Sequence, residues 1–437
     1  MGEILADASR GRLHEKGHRM ARRTELGLDR QAQTILVWMC VLIAANQLGF
    51  GAIVPVVALY AEEFGVTQTA IGLTIAIYGL ARFLVNVPAG GLADRFGRRT
   101  TLAAGGLITI AGTVLCAVAP NYPVFLIARF VAGAGAACVL TGGQIVLADI
   151  ASPNNRGRVM AIYQGVFLFS VGAGAWPGGW LASEYGLASP FWANAALAGI
   201  VTLLAWFFVP ETRGLRERRD GSRANPLKLS FGQQLHIVTA TPGFLLISVI
   251  SFTAFFARTG ALFNVIPLLA ENEIGLSPDQ IGLGIGMISI VGLVLVYPSG
   301  ALVDRFGRKA VIVPSMLCSA LAMLTYAAAG TFAAFLISSA CWSAASGISG
   351  AAPAAYAADI SPKGLTAATM GMYRALSDSG YVVGPLLLGL IADVVSPDAA
   401  LIFTAVLLFA SGVTFALRSP ESLPDRVDVP EPMKPVP

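Results

Sequence analysis

The segment GGLADRFGRRT (residues 90–100) follows a long apolar run and places four charged residues within positions 94–99. A second copy, SGALVDRFGRKA, occupies residues 299–310. In both copies an Asp-Arg pair is followed by Phe, Gly and two basic residues, and the two aspartates are 210 positions apart. Each copy directly follows an apolar run. The recurrence therefore indicates an internal repeat in which both units pass from an apolar to a polar environment at equivalent positions.

The composition indicates that this environment is a lipid bilayer. Hydrophobic residues make up 55% of the 437 residues and charged residues only 12%, and the mean hydropathy is +0.70. A soluble domain carries about 25% charged residues, whereas an apolar exterior is well solvated in lipid. The net charge of +4 does not indicate nucleic-acid binding, because the positions of the basic residues matter more than their total.

Windows long enough to cross about 30 Å of hydrocarbon predict twelve spans. Their approximate bounds are residues 35–61, 69–90, 100–118, 122–148, 157–183, 189–209, 242–270, 277–300, 309–329, 331–358, 366–392 and 398–417. An even number of spans places both termini on the same side of the membrane.

The basic residues indicate which side this is. All but four of the 29 Lys and Arg residues lie in the two tails and in the loops after the even-numbered spans. By the positive-inside rule both tails and the long middle loop are expected in the cytoplasm, with the protein in the cell (plasma or inner) membrane. The polar N-terminal tail shows no h-region with a cleavage site, so no removable signal peptide is expected.

Further matches at the same offset of 210 indicate two halves of one design. Residues 71–73 match residues 281–283, residues 149–150 match residues 359–360, and Met160 and Tyr163 match Met370 and Tyr373. The predicted organisation is a tail (1–34), a six-helix bundle (35–209), a charged linker (210–241), a second six-helix bundle (242–417) and a second tail (418–437). Parallel halves of this kind leave a cavity between them, which suits alternating access.

The repeated segment resembles the loop motif G-x-L-x-D-R-x-G-R-R/K of the Major Facilitator Superfamily. The matching positions are Gly90, Leu92, Asp94, Arg95, Gly97, Arg98 and Arg99, and again Gly300, Leu302, Asp304, Arg305, Gly307, Arg308 and Lys309. The resemblance covers residues 35–417 and implies an all-α membrane protein with twelve transmembrane helices in two pseudo-symmetric bundles. It also implies transport of a small molecule, and we expect a monomer that binds lipid but no nucleic acid.

The motif residues suit different tasks. Gly97 and Gly307 allow a tight turn between helices because glycine reaches positive φ without steric cost, and the basic residues that follow can anchor the loops at the lipid surface. An aspartate at a helix end can instead face the N-terminus of another helix. The resemblance implies that Asp94 and Asp304 make this contact across the two halves and lose it when the transporter opens inward; the alternative is a loop with ordinary retention charges.

A second group of charges lies near the same ends of the spans. Asp149 and Asp359 each end a span, and they either join a cytoplasmic charge network with Arg156 and Arg158 or are solvated helix ends.

Four arginines lie inside predicted spans, namely Arg82, Arg129, Arg258 and Arg374. A guanidinium at the bilayer centre costs at least about 2.5 kcal/mol, so each should face protein or water. Asp378 is the one carboxylate well inside a span and lies on the same helical face as Arg374. It either pairs with Arg374, with Arg82 sharing the pair if spans 2 and 11 are neighbours, or carries protons.

The resemblance implies that spans 1, 4, 7 and 10 line the cavity, with Asn46, Gln47, Arg129, Arg258 and Asn264 as candidate lining residues. Span 5 contains GVFLFSVGAGAWPGGW (residues 165–180), which is similar to the glycine-proline motif of the superfamily's exporters. The absence of an acidic residue in span 1 weakens a cationic-drug interpretation. Proton-coupled efflux of a small organic or drug-like compound is therefore the leading hypothesis, and uptake of a small organic anion or metabolite is the alternative.

Two other classes of protein fit less well. A membrane enzyme lacks support because His14, His18 and His236 lie in the tail and the middle loop, and no triad or metal set can be assembled inside the membrane. A channel does not need matched halves with two basic loops. We expect no enzyme activity and no cofactor or metal, with a proton gradient as the energy source.

Overall fold

The computed structural model describes residues 28–151, 155–213, 231–350, 352–362 and 365–421. Twelve long helical segments and several shorter helices, among them Phe231–Ala240 in the predicted linker, make up most of these ranges, and the described residues contain no β-strand. The first six are α1 (Arg30–Ile53), α2 (Gln68–Phe96), α3 (Arg98–Ala117), α4 (Tyr122–Ile150), α5 (Arg156–Tyr185) and α6 (Ser189–Phe208). The second six are α7 (Phe244–Phe256), α8 (Pro278–Phe306), α9 (Arg308–Ala327), α10 (Phe332–Ser349), α11 (Thr366–Val394) and α12 (Pro397–Arg418).

Eleven helices in the described part of the chain are long and apolar enough to cross a membrane. The twelfth predicted span corresponds to α8, which is 29 residues long and has several side chains outside the described residues. The all-α, twelve-helix prediction is therefore confirmed.

Three of the spans are interrupted, which hydropathy did not predict. A short helix, Val57–Glu62, completes α1, and Ala352–Asp359 completes α10 after Gly350, whose φ is +43°. Beyond α7 the chain winds as a π-helix over Ala257–Val265 and returns to α-helix over Ile266–Asn272. Such π-helical segments often occur at functional sites, and this one carries Arg258 and Asn264.

The same offset of 210 relates the helix ends of the two halves. The helices α2 and α8 end at Gly97 and Gly307, both with φ of +95°, and α3 and α9 begin at the next residue. The expected tight glycine turns are confirmed at both positions. We call the end of the molecule that carries these turns the motif end, and the opposite end, where α2 and α8 begin, the far end.

The two bundles meet along two helix pairs, α2 with α11 and α5 with α8. On α2, a Cβ at Gly72 would collide with the Pro385 carbonyl, and one at Gly79 would collide with the Tyr381 ring. Gly90 lies three turns beyond Gly79 on the same face, and no described atom lies within 4 Å of a Cβ built there. The α2–α11 contact therefore runs from the far end to the middle and is open at the motif end.

The second helix pair shows the same gradient. A Cβ at Gly179 would collide with the Pro278 carbonyl at the far end of α8, and one at Gly172 would collide with Ser289 near its middle. Gly165, two turns nearer the motif end, has no described atom within 4 Å of its Cβ position. The bundles therefore touch from the far end to the centre and separate towards the motif end.

Candidate functional site

A small hollow lies between the two bundles where their contact ends, and the space of about 220 Å³ at this point includes open solvent. The residues that line it come from the span-1 helices, α2, α4, the π-helical segment and α11: Phe50, Ile53, Val54, Val57, Ile75, Arg129, Phe263 and Tyr381. Most of these side chains are apolar, and Arg129 supplies a positive charge.

Within the described residues, α10 contributes nothing to this hollow, so the expectation that spans 1, 4, 7 and 10 line it was wrong for span 10. Trp342 of α10 is buried, and the Ser343 hydroxyl donates to the Ile288 carbonyl of α8. The helix is thus packed against its own bundle, and α2 and α11 take its place because they cross between the halves at this level.

Arg129 is held by α2 although it belongs to α4. Its Nε donates to the Thr74 carbonyl at 3.2 Å, and its guanidinium carbon lies 4.6 Å from the centroid of the Tyr78 ring. The residue is only 2% exposed, and its terminal nitrogens make no hydrogen bond to a described residue. Arg129 is therefore a buried cation held by a carbonyl and an aromatic face.

Two further arginines lie against rings that border the same region. The Arg82 guanidinium carbon is 5.7 Å from the Tyr381 ring centroid, and that of Arg258 is 6.0 Å from the Phe263 ring centroid. The Arg82 Nε is buried without a hydrogen-bond partner. Among the described residues, no carboxylate oxygen lies within 4.0 Å of a nitrogen of Arg82, Arg129 or Arg258.

Aromatic contacts join the two bundles at this point. Phe50 stacks on Tyr78 with a centroid distance of 5.4 Å, and its other contact is edge-on to Phe263 of the second bundle at 6.5 Å. Tyr78 and Tyr381 were missed from the sequence, because a lone tyrosine in a span is not distinguishable from a core residue.

Asp378 pairs with Arg374 at 3.2 Å, as one interpretation expected. The side chains are 21% and 56% exposed, so this pair borders open space. The suggestion that Arg82 shares the pair was wrong for this structure: α2 and α11 are neighbours, but the Arg82 guanidinium lies over Tyr381, three residues beyond Asp378.

The amide candidates are buried and partly paired with protein. In α1 the Asn46 Nδ2 donates to Gln47 Oε1 at 2.8 Å. The Asn264 Nδ2 donates to the Pro385 carbonyl at 3.3 Å, while its Oδ1 has no hydrogen-bond partner. None of the three lines the hollow.

At the motif end the aspartates that end spans contact the first residues of α3 and α9. Asp149 accepts from Arg98 Nε at 3.0 Å and from the Thr212 hydroxyl at 2.9 Å, and Asp359 pairs with Arg308 at 3.0 Å. The described partners of Asp149 are therefore Arg98 and Thr212, because the end of α4 faces the start of α3, and the network with Arg156 and Arg158 stays a prediction. Arg158 is exposed, and the Arg156 side chain lies outside the described residues.

Asp94 makes no described contact across the bundles. Its side chain is 74% exposed and pairs with Arg98 at 3.1 Å, one turn along. The contact implied by the family resemblance is absent here because the bundles stand apart at the motif end.

The remaining motif residues lie around this end. Arg95 and Arg305 each stack on the following phenylalanine with a distance of 5.2 Å, Arg99 lies 4.6 Å from the Trp206 ring centroid, and the Lys309 Nζ donates to the Ser419 carbonyl at 2.8 Å. Leu92 is exposed and Leu302 half-buried, whereas Gly300 and the Asp304 side chain lie outside the described residues.

A residue missed from the sequence caps α3. The Glu211 carboxylate accepts from the backbone N–H groups of Arg98 and Arg99 at 3.1 and 3.3 Å. This places a negative charge at a helix N-terminus that has no side-chain cap of its own. The start of the linker is thereby attached to the first bundle.

Asp393 joins the bundles at the far end and was also missed. Its carboxylate accepts from the backbone N–H groups of Gln68 and Thr69 at 2.7 and 2.8 Å and from the Thr69 hydroxyl at 2.5 Å. These N–H groups belong to the first turn of α2, where helix geometry leaves donors free. An acidic residue at the end of an apolar span was the only signal.

Two weaker hydrogen bonds cross between the bundles at the same end. The Asn272 Nδ2 donates to Glu62 Oε1 at 3.0 Å, and the Ser183 hydroxyl donates to Asp279 at 3.4 Å. At the motif end, no hydrogen bond between described residues joins the bundles.

Comparison with known proteins assigns the family. The chain is 24% identical over 388 residues to an uncharacterised MFS-type transporter of Methanocaldococcus jannaschii, covering 89% of this chain and 98% of that one. It is 26% identical over 289 residues to multidrug resistance protein 2 of Bacillus subtilis, covering 64% and 70% of the two chains.

A solved structure described as a bacterial homologue of the human lysosomal transporter Spinster, in an inward-facing and occupied conformation, superposes with a TM-score of 0.72 at 16% identity, covering 88% of this chain and 96% of that one. The family model for the Major Facilitator Superfamily matches residues 39–271 and 247–436. The chain is thus a multi-pass membrane protein of a transporter family rather than an enzyme, and it belongs to the Major Facilitator Superfamily.

Proposed function

We propose that the chain is a secondary active transporter that works by alternating access and exports a small organic compound in exchange for protons. We place the motif end in the cytoplasm by the positive-inside rule, and the conformation described above is then the inward-open one. The observation that carries the proposal is that the two bundles are in close contact at Gly72 and Gly179, towards the far end, and are not in contact at Gly90 and Gly165, towards the motif end.

A central hollow at the closed end of this gap is what alternating access requires. Breaking the far-end contacts and closing the motif end would expose the same hollow to the other side of the membrane. Asp94 is then free to meet the second bundle, since in the present state it is exposed. The motif aspartate would serve as a contact that forms only in the outward-open state.

Export is favoured by similarity to a Bacillus subtilis protein named for multidrug resistance, because a pump that removes a drug from the cell confers resistance. Span 5 supports the same direction through its glycines, of which Gly172 and Gly179 form the close contact with α8.

Asp378 is the candidate proton carrier. It is the carboxylate nearest the middle of a span and pairs with Arg374, which borders open space. Protonation would release Arg374, and deprotonation would restore the pair, so proton occupancy changes the charge on one helical face of α11.

The proposal is tested in inside-out membrane vesicles that hold a proton gradient. Chloramphenicol, novobiocin and ethidium serve as probes, and the pH gradient is followed by acridine orange fluorescence. Export predicts that at least one probe accumulates and dissipates the gradient, and that Asp378→Asn abolishes this coupling while the matched variant Asp398→Asn does not. Coupled flux that persists in Asp378→Asn removes this residue as the carrier.

Uptake of a small organic anion is the second candidate function. The three central arginines without a described carboxylate partner favour it, because positive charge without a counter-charge attracts anions. Uptake predicts the opposite direction of probe movement in the same vesicles. The probe leaves the vesicles, either together with protons or without any effect on the proton gradient.

A further inference from the structure

The centre of the molecule carries more positive charge than the surrounding protein compensates. Arg82 and Arg129 belong to the first bundle and Arg258 to the second, and none has a carboxylate oxygen of a described residue within 4.0 Å. Their observed contacts are aromatic rings and, for Arg129, one backbone carbonyl. Removing a guanidinium from water without a counter-charge is unfavourable, so this cluster is incomplete without an anion.

The geometry shows where that anion would bind. Arg129 is nine-tenths buried or more and lines the hollow, with its terminal nitrogens free of described partners. Tyr381 lines the same hollow, and its hydroxyl makes no hydrogen bond to a described residue. Two donors of the kind that bind carboxylates and sulfonates therefore face one small volume.

The rest of the hollow selects for an apolar body. Phe50, Ile53, Val57 and Phe263 form most of its remaining wall. The space of about 220 Å³ includes open solvent, so it does not define the size of a ligand. A compound with an apolar body and a single anionic group matches the polarity of the lining.

We propose that the hollow binds a small aromatic organic anion, with the anionic group at Arg129 and Tyr381 and the ring against the apolar wall that includes Phe50 and Phe263. This assignment names the substrate class and rests on the proposed transporter function, whatever the direction of transport. Arg82 and Arg258 contribute long-range attraction rather than direct contact, since neither lines the hollow.

A bound anion would also affect the contact between the bundles, because the arginines belong to both of them. Positive charges on facing bundles repel each other in the low-dielectric interior, and an anion bound at Arg129 removes part of this repulsion. Binding would therefore favour the approach of the bundles around the hollow.

Equilibrium binding tests this assignment without any ion gradient. The full chain in lipid nanodiscs is titrated calorimetrically with naphthalene-2-sulfonate and with the cation 2-naphthylmethylammonium, which has the same ring system. A charge-assisted hydrogen bond predicts a preference for the anion of about 10- to 100-fold, and a similar loss of anion affinity in Arg129→Gln. Arg258→Gln should lose less, and Arg418→Gln, an exposed site at the end of α12, should lose nothing.

Measurements on the parent protein are sufficient to overturn the assignment. It is overturned if the two probes bind with equal affinity, if the cation binds more tightly, or if the anion does not bind. A misfolded Arg129→Gln, detected by gel filtration, leaves the parent preference and Arg258→Gln to decide. If proton-coupled flux is absent but the preference for the anion is intact, the proposed export is refuted and this binding site stands. If proton-coupled flux is present without a preference for the anion, this binding site is refuted and the proposed export stands.

Discussion

Replacing Asp393 by Asn should weaken closure at the far end. The carboxylate accepts two backbone N–H groups of α2 and the Thr69 hydroxyl, and a neutral amide keeps only one acceptor oxygen and loses the attraction to the helix N-terminus. A hydrogen bond to a charged group is worth about 1.5–3 kcal/mol, and exposure to solvent reduces that value. We therefore expect a loss of about 1–2 kcal/mol, which raises the population open at the far end roughly 5- to 30-fold.

Distance measurements between spin labels report this population directly. Labels at Glu63→Cys and Glu273→Cys, both exposed at the far end, would be placed in a background without the five native cysteines. The Asp393→Asn variant should gain a component at longer distance. Asp398→Asn is the matched control, because Asp398 lies five residues away at the start of α12 and makes no described hydrogen bond to the first bundle.

An unchanged distance distribution in Asp393→Asn would refute the assignment of Asp393 as a contact that holds the bundles together. An equal shift in Asp398→Asn would show that loss of any carboxylate at this end produces the effect.

Two further predictions concern stability and packing. Asp149→Asn should lower the melting temperature of the purified protein more than Asp359→Asn, because Asp149 is fully buried and its loss leaves the buried Arg98 with only the exposed Asp94 as a counter-charge, at a cost of at most about 3–5 kcal/mol; equal shifts would contradict this. Gly72→Ala should reduce transport strongly, since the added Cβ collides with a carbonyl of α11, whereas Gly199→Ala, which meets open space, should retain the parent rate.

The sequence was sufficient for the architecture because its signals are local and repeated. Apolar windows located all twelve segments, and the offset of 210 between the copies of the motif reappears in the bounds of α2 and α8 and in the turns at Gly97 and Gly307. Each of these features depends on nearby residues, so no knowledge of tertiary contacts was needed.

The contacts between bundles could not be predicted in the same way. Asp393 bonds to residues more than 320 positions away, and Tyr381 lies over Arg82 only because α11 crosses α2 at that level. The candidate residues Arg129 and Arg258 were found because a cation inside a span is itself unusual.

Glu62 and Asn272 occupy equivalent positions in the two halves, 210 residues apart, and yet they touch. Two equivalent positions can meet only on the axis that relates the halves, so this pair marks where the pseudo-twofold passes through the far surface. Identical side chains at the two positions would face each other there, and two glutamates so placed would repel. The acid on one side and the amide on the other instead form a hydrogen bond.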